Sequence, residues 1–372
     1  MPKTYRIGAI GFAHVHMKST MDLFAALGDR VQMVAAADVE PIVPSVSKER
    51  GTRIEQYQWA LDKYKVKPYD SYIKLLDENQ IDIALVSCEN SLHPVVMEEI
   101  LRRGIHVVVE KPLSVTMEGA LRIERASRVK GARVITNWPS AWYPGVRTAK
   151  RLMDQGTIGK LFKFSYRNAD SLGPFSYGQA MSDSEKGQEW WYRSDAGGGA
   201  MMDYCCYGAC MASWFVGTPP QAAYGIKANF NSPYGSADDF SAITVRFASA
   251  LAMLEGSWTT VNSGVPNGPL LYGKEGTMVV RLNGDVEVYT KRGGDTPDQL
   301  IKADPLPAGR DDLAKETLHH LDTGEPLFPM LDLPLNMAAM SILDAGLRSA
   351  QSGKMEMAND GIWCVGDDSI FH

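Results

Sequence analysis

Strand-like and helix-like segments alternate through the first third of this chain, and that alternation restricts the fold more than any other feature. "YRIGAIGF" is strand-like, and "MKSTMDLFAALG" has helical periodicity with a glycine stop at Gly28. "VQMVAAAD" is again strand-like. "YIKLLDEN" reads as helix, "IDIALVSC" as strand, "HPVVMEEILRRG" as helix and "HVVVE" as strand. Parallel neighbours need a long crossover, usually helical, so this order predicts βαβ units and a doubly wound parallel sheet of Rossmann type.

At 372 residues the chain exceeds the size at which one hydrophobic core stops growing, which predicts two domains. From Leu161 the texture changes. "KLFKFSYRN", "SAITVRF", "ALAMLEGSWTT", "TMVVRLN" and "DVEVYT" follow one another without helices between them. That pattern predicts a large, open, mainly antiparallel sheet in an α+β second domain. The boundary is placed at the helix "GALRIERASRVKG", giving a first domain over 1–125 and a second over 126–372. The apolar helix "LPLNMAAMSILDAGLRSAQSG" is expected at the domain junction. An open sheet also leaves an apolar face to be covered, so a homodimer or homotetramer is expected.

The formal net charge is −6, with no Lys/Arg cluster, which argues against nucleic acid and anionic membranes as partners. The N-terminal segment has no signal-peptide h-region, no apolar run approaches a membrane span, and five cysteines show no framework spacing. A reducing cytoplasm is the expected setting. Cys205, Cys206 and Cys210 lack a fourth ligand at zinc spacing and read as small buried thiols.

The first turn, "GAIGFAHVH", has the strand–turn–helix context of a dinucleotide fingerprint. Gly11 is present, whereas Ala13 and His16 stand where the second and third glycines belong. Asp38 ends the second strand, where an acidic residue binds ribose hydroxyls. Val39 and Glu40 bring no cation for a 2′-phosphate, so NAD is expected over NADP. His14 and His16 are close together, but their spacing offers no carboxylate or cysteine partner. No metal is expected, and the two are assigned to cofactor or substrate contact or to packing.

The third feature is "VVVEKPLSVT", a valine strand that ends in Glu110 and Lys111 and stops at Pro112. As bare chemistry this is either a solvated surface pair or a functional strand end. With "CENSLH", "GTIGKL", "AGGGAMMDYCCYG", "YGKEGTMVV" and "LDTGEPLFPMLD", it resembles the Gfo/Idh/MocA family of NAD(P)-dependent oxidoreductases over nearly the whole chain. The resemblance implies that Lys111 lies beside the nicotinamide, hydrogen-bonds the reacting oxygen and stabilises developing alkoxide, with a cis peptide at Pro112. It also implies a cofactor site of Gly11, Phe12, Ala13, His14, Asp38, Asn90, His93, Glu110 and Lys111.

In "GGGAMMDYCCYGAC" a triple glycine opens a helix, leaving unpaired N–H groups and room for close approach. Asp203 and Tyr207 are four apart and share a helix face. The family usually has histidine where Tyr207 stands, and a sugar-oxidising branch exemplified by glucose-fructose oxidoreductase has tyrosine. The implied catalytic set is Lys111, Asp203 to orient the substrate hydroxyl, and Tyr207 to relay the proton, its pKa depressed by Lys111.

"NWPSAWYP" and "EWWYRSD" set aromatics among polar groups, as suits carbohydrate rings, with core packing as the competing explanation. Trp142 and Arg167 are therefore placed with Lys111, Asp203 and Tyr207 in the substrate site, and Tyr166, Asn168 and Asp170 are candidates beside them. The reading is an NAD-dependent oxidoreductase moving hydride to or from a carbinol carbon of a sugar, polyol or sugar acid. Its rivals are an NAD-retaining hydrolase or isomerase and a non-enzymatic dinucleotide-sensing regulator.

Overall fold

The computed structural model describes residues 3–169 and 180–358. Its first sheet is built from β1 (Tyr5–Ile10), β2 (Val31–Ala37), β3 (Lys67–Tyr69), β4 (Ile83–Val86), β5 (His106–Glu110) and β6 (Val134–Asn137). All pair in parallel, in the order β3-β2-β1-β4-β5-β6. The intervening helices are α1 (Met17–Ala25), α2 (Arg53–Tyr64), α3 (Tyr72–Glu78), α4 (His93–Arg102) and α5 (Met117–Lys130). Helices cover both faces, which is why β4 and the valines of β5 are wholly buried apolar runs. The order reverses between β1 and β4, and ligands bind outside the strand ends at such a point.

Two boundaries differ from expectation. Helix α1 closes at Ala25 rather than running to Gly28, which belongs to a following 3₁₀ turn. The first sheet runs on to Asn137 through β6, and position 125 falls inside α5. β6 is "VITN", whose mixed polarity gives no apolar run like that of the equally short β4, so its partner β5 is what reveals it.

The second domain begins with α6 (Pro144–Asp154) and carries a nine-stranded sheet. Its strands are β7 (Leu161–Ala169), β8 (Pro220–Ala228), β9 (Phe240–Phe247), β10 (Leu251–Ser257), β11 (Leu270–Gly273), β12 (Thr277–Val280), β13 (Val286–Tyr289), β14 (Gln299–Ile301) and β15 (Glu356–Met357). The order is β14-β13-β12-β11-β7-β10-β9-β8-β15, antiparallel throughout except for β7 beside β10. Helices α7 (Cys206–Val216), α8 (Leu313–Thr323) and α9 (Leu333–Ser352) follow the strands or interrupt them.

Side chains alternate between the two faces along the central strands. Phe164, Tyr166, Leu254, Ile243 and Val245 turn inward, while Leu251 and Met253 stand about half exposed on the outer face. α9 covers the inner face of β8 so closely that a Cβ at Gly225 would meet the Gly346 carbonyl at 2.2 Å. The same helix reaches the first domain. Asp344 accepts from the Met117 amide at 3.0 Å, and Asn336 accepts from Trp138 Nε1 at 2.7 Å. Ile342 and Leu343 are fully buried between these elements, each contributing roughly 1.5–3 kcal/mol by removal from water. The expected place of α9 at the junction is the observed one.

Candidate active site

The turn after β1 packs against the turn after β4. Gly11 has φ +77°, and a Cβ there would meet the Cys88 amide nitrogen at 2.6 Å, so only glycine fits. Phe12 contributes backbone only, because its ring is buried against Tyr57. The Asn90 Oδ1 atom is buried without a hydrogen-bond partner, beside a turn that a dinucleotide is expected to occupy. His93 lies beneath, donating Nδ1–H to the Pro112 carbonyl at 3.1 Å and so fixing the turn after β5. These residues fit a dinucleotide across the switch point.

Asp38 ends β2 as expected, and Oδ1 accepts from the Phe12 and Val39 amides at 3.0 and 2.9 Å. The expectation of no nearby cation is corrected. Arg53, at the start of α2, places its guanidinium 3.0 Å from Asp38 Oδ2. Arg53 is buried, pairs also with Glu89 and donates to the Val39 carbonyl at 2.6 Å. Two carboxylates already neutralise it. Residue spacing hid this contact, because a loop of uncertain length separates β2 from α2.

Glu110 and Lys111 do not form a surface pair; they are 1% and 2% exposed and point to different partners. Lys111 Nζ donates to Asp203 Oδ1 at 2.5 Å and to the Asp203 carbonyl at 3.0 Å. Trp258 Nε1 donates to the other carboxylate oxygen at 3.0 Å. Burial works against both charges, but the pair holds Lys111 protonated and Asp203 ionised. The Lys111–Pro112 peptide is cis, as expected.

Tyr207 joins this group, but not in the expected way. The Lys111 ammonium lies 4.8 Å from the centre of the Tyr207 ring, over its face, and the ring meets Trp138 edge-on at 5.5 Å. Burial pushes the phenol well above its ordinary range, and Cys206 and Asp203 push the same way. The expected depression by Lys111 is therefore corrected: the ammonium's charge is spent on Asp203. The Tyr207 hydroxyl makes no hydrogen bond among the described residues, and it lines the cleft.

The triple glycine serves close approach. A Cβ at Gly197 would strike Val115 at 2.4 Å and Asn90 at 2.8 Å, and the Gly197 carbonyl accepts from Asn90 Nδ2 at 2.9 Å. The N–H groups beyond it are not left open, however. Asp238 takes the Ala200 amide on its carbonyl and the Met201 amide on its carboxylate, both at 2.8 Å. The turn that follows, Met201–Cys205, is π-helical before α7 begins. Asp203 and Tyr207 nevertheless both line the cleft.

That cleft, of about 600 Å³, is lined by His14, His16, Lys111, Tyr143, Tyr166, Asn168, Trp190, Asp203, Tyr207 and Trp258, among others. Two expected members are absent. Arg167 is on the outer face of β7, paired with Glu255 of β10, because alternation sends Tyr166 and Asn168 inward. Trp142 turns towards Arg147, and its neighbour Tyr143 lines the cleft instead. Asp170 lies outside the described residues.

From "EWWYRSD", Trp190 and the mostly buried Trp191 line the cleft, Trp190 donates to the Ala13 carbonyl at 2.9 Å, and Tyr192 is core. Cys88, Cys205, Cys206 and Cys210 are buried free thiols. Among the described residues no helix is long and apolar enough to cross a membrane.

Sequence reasoning also missed Glu189, which gave no signal beyond its aromatic neighbours. It is 1% exposed, accepts from Ser45 at 2.8 Å, and burial raises its carboxyl to about 7. A raised folded-state pKa means stability that is full below about 4.5 and lost as pH rises through about 7. Glu189→Gln should therefore resemble the parent at pH 4 and exceed it at pH 8 by on the order of 2–3 kcal/mol. Denaturant midpoints at the two pH values measure this, and a variant less stable at both would refute it.

His14 and His16 are where the sequence was most misleading. β5 brings Glu110 against them, with Oε2 3.0 Å from His16 Nδ1 and 3.8 Å from His14 Nδ1. The carboxylate absent from the local spacing arrives from another strand.

Fold and site together define a class: a Rossmann domain joined to an open-sheet domain, with a charged cleft where the first sheet's strand order reverses. Residues 7–138 match the family described as "Oxidoreductase family, NAD-binding Rossmann fold", and residues 146–279 match "GFO/IDH/MocA C-terminal domain". The chain belongs to the Gfo/Idh/MocA family of NAD-binding oxidoreductases.

Among curated relatives, dTDP-3,4-didehydro-2,6-dideoxy-alpha-D-glucose 3-reductase of Actinomadura kijaniata is 25% identical over 57% of this chain and 56% of its own. The match thus spans little more than half of that relative. WlbA dehydrogenase from Bordetella pertussis, solved with NADH and UDP-GlcNAcA, superposes with TM-score 0.74 at 20% identity, covering 95% of this chain and 99% of that one. A levoglucosan dehydrogenase solved with NADH and levoglucosan gives 0.72 at 19% identity, covering 96% and 100%. These two show the fold.

Proposed function

We propose that this protein is an NAD-dependent oxidoreductase acting on a carbinol carbon, or the matching carbonyl, of a sugar, polyol or sugar acid. The observation that carries the reading is the buried Lys111–Asp203 pair in the cleft, at the carboxyl end of β5. The named substrates of the relatives, a nucleotide-linked sugar and levoglucosan among them, support the carbohydrate class. Trp190, Trp258 and Asn168 supply the apolar faces and polar rim that a sugar ring needs.

Gly11, Ala13, Asp38 and Asn90 would hold the dinucleotide, whose nicotinamide accepts or donates the hydride. Lys111 has three N–H donors and uses two on Asp203, so one remains for the substrate oxygen. Asp203, fixed by Trp258, holds the ammonium in place and keeps it charged. Tyr207 stays protonated across the neutral range and enters as a proton donor, which favours carbonyl reduction over alcohol oxidation near neutrality. Turnover with NAD or NADH against a panel of sugars, polyols and their keto forms, read by nicotinamide absorbance, tests the reading. Product formation without net change in NADH would replace it with a retained-cofactor cycle.

Asp38 favours a ribose diol over a 2′-phosphate by charge. Asp38→Ser removes that repulsion and releases Arg53 from one of its two carboxylates. The NAD-to-NADP affinity ratio should fall by about tenfold or more, the worth of one charge contact. Unchanged selectivity by titration would refute this role.

The outer sheet face carries Tyr224, Ile226, Leu251 and Met253, each 41–51% exposed. These apolar side chains flank Thr244 and Arg246 of β9 on one exposed sheet face, and a homodimer or homotetramer that covers this face is part of this reading. Met253→Glu is expected to lower the mass seen by light scattering at micromolar concentration. A monomeric parent protein would refute it.

A further inference from the structure

We propose that His14, His16 and Glu110 form a binding site for one divalent transition-metal ion, of the class held by imidazole and carboxylate, such as zinc, iron, cobalt, nickel or manganese. The two histidines leave the turn between β1 and α1, while Glu110 ends β5, so the site exists only in the folded chain. Their ligand atoms all lie within 4.8 Å of one another, with Glu110 Oε2 at 3.0 Å from one Nδ1 and 3.8 Å from the other. Ligands about 2.0–2.2 Å from a common ion stand about 3.0–3.6 Å apart, so small side-chain shifts close the set.

Each member is prepared for the role. Glu110 is 1% exposed, and its neighbour Lys111 is committed to Asp203, so the histidines are the groups left to face its charge. Asn137 Nδ2 donates to Glu110 Oε1 at 2.6 Å and is itself within 3.3 Å of Thr20 Oγ1. That backing turns Oε2 towards the histidines, as the outer hydrogen bonds of metal-ligating carboxylates do. His14 Nδ1 accepts the His16 amide at 3.2 Å, so this nitrogen carries no proton, and an ion bound there would replace that long hydrogen bond on its single lone pair. His16 stands where the fingerprint calls for a helix-packing glycine, an exchange that dinucleotide binding does not require.

The position says what such an ion would do. His14 and His16 line the same cleft as Lys111 and Asp203, and three protein ligands leave coordination positions for oxygen donors from the cleft. Hydroxyl or carboxylate oxygens of a polyol or sugar acid are the ligands of matching chemistry. The site is independent of the hydride reading, since it rests on different residues and is read by metal binding alone.

The test is titration of the full chelator-treated protein with Co²⁺, followed by visible absorption and metal analysis. One equivalent should bind with nitrogen–oxygen ligand-field bands and no thiolate charge-transfer band, and Zn²⁺ should displace it. His16→Gln and Glu110→Gln should each weaken Co²⁺ binding by about 100-fold or more. His319→Gln, at an exposed histidine paired with Glu325, should leave it unchanged. Glu110→Gln keeps an acceptor for Asn137. If that buried variant still fails to fold, His16→Gln carries the comparison, because its side chain is 27% exposed. Failure of the parent to bind Co²⁺ tighter than millimolar, binding indifferent to both variants, or a thiolate band pointing to the cysteines of α7 would each overturn the proposal.

Discussion

Lys111→Ala is expected to lower kcat by about a hundred-fold or more while leaving NAD affinity nearly unchanged. The ammonium is a preorganised donor in a water-poor cleft, and loss of one such donor typically costs about that factor. If Lys111 only held substrate, KM would rise and kcat would stand; a fall in kcat marks stabilisation of the alkoxide. The substitution also strands Asp203, whose carboxylate keeps only Trp258. Removing one partner of a buried pair costs about 3–5 kcal/mol, and the 22% exposure of the Asp203 side chain moves the expectation to the low end. The double variant Lys111→Ala/Asp203→Asn should therefore recover stability without recovering turnover. Recovery of both would make Lys111 structural and remove it from the chemistry.

Tyr207→Phe is expected to lower kcat by roughly 10²–10⁴, the range for a general acid–base group. The variant keeps the edge-on contact with Trp138 and the face under Lys111, so only the phenolic proton is lost. Because burial holds that phenol protonated, the alcohol-oxidising rate of the parent protein should climb as pH rises through the alkaline range. Carbonyl reduction should be level near neutrality. In Tyr207→Phe the alkaline limb should disappear. Normal turnover by this variant on the true substrate would pass the proton role to another cleft group. Tyr143 would then be the first to test, since it lines the same space and Lys111 lowers its pKa against the larger effect of burial.

Local patterns determined whatever depends on residues close in sequence. The alternation of strand and helix required parallel βαβ units, because no shorter connection joins parallel strands. Gly11 marked a position where the β1 turn meets Cys88, and the triple glycine marked a close approach between the domains at Gly197. The run from Val107 to Pro112 named Lys111, since a buried strand that ends in charge needs a reason. β6 stayed hidden because "VITN" mixes apolar and polar residues and so gives no apolar run, unlike the equally short but wholly apolar β4; its pairing with β5 alone reveals it.

What the tertiary structure alone decided are the partners of charges. Arg53 reaches Asp38, Glu110 reaches His14 and His16, and Asp203 takes Lys111 away from Tyr207. Each pair joins separate elements, so no spacing along the chain encodes it. The same holds for direction. Strand alternation sends Arg167 outward and Tyr166 inward, and the turn before α6 presents Tyr143 rather than Trp142. Residue type announced which groups carry chemistry, whereas the free energy of a buried charge depends on what faces it, and only the folded chain sets that distance.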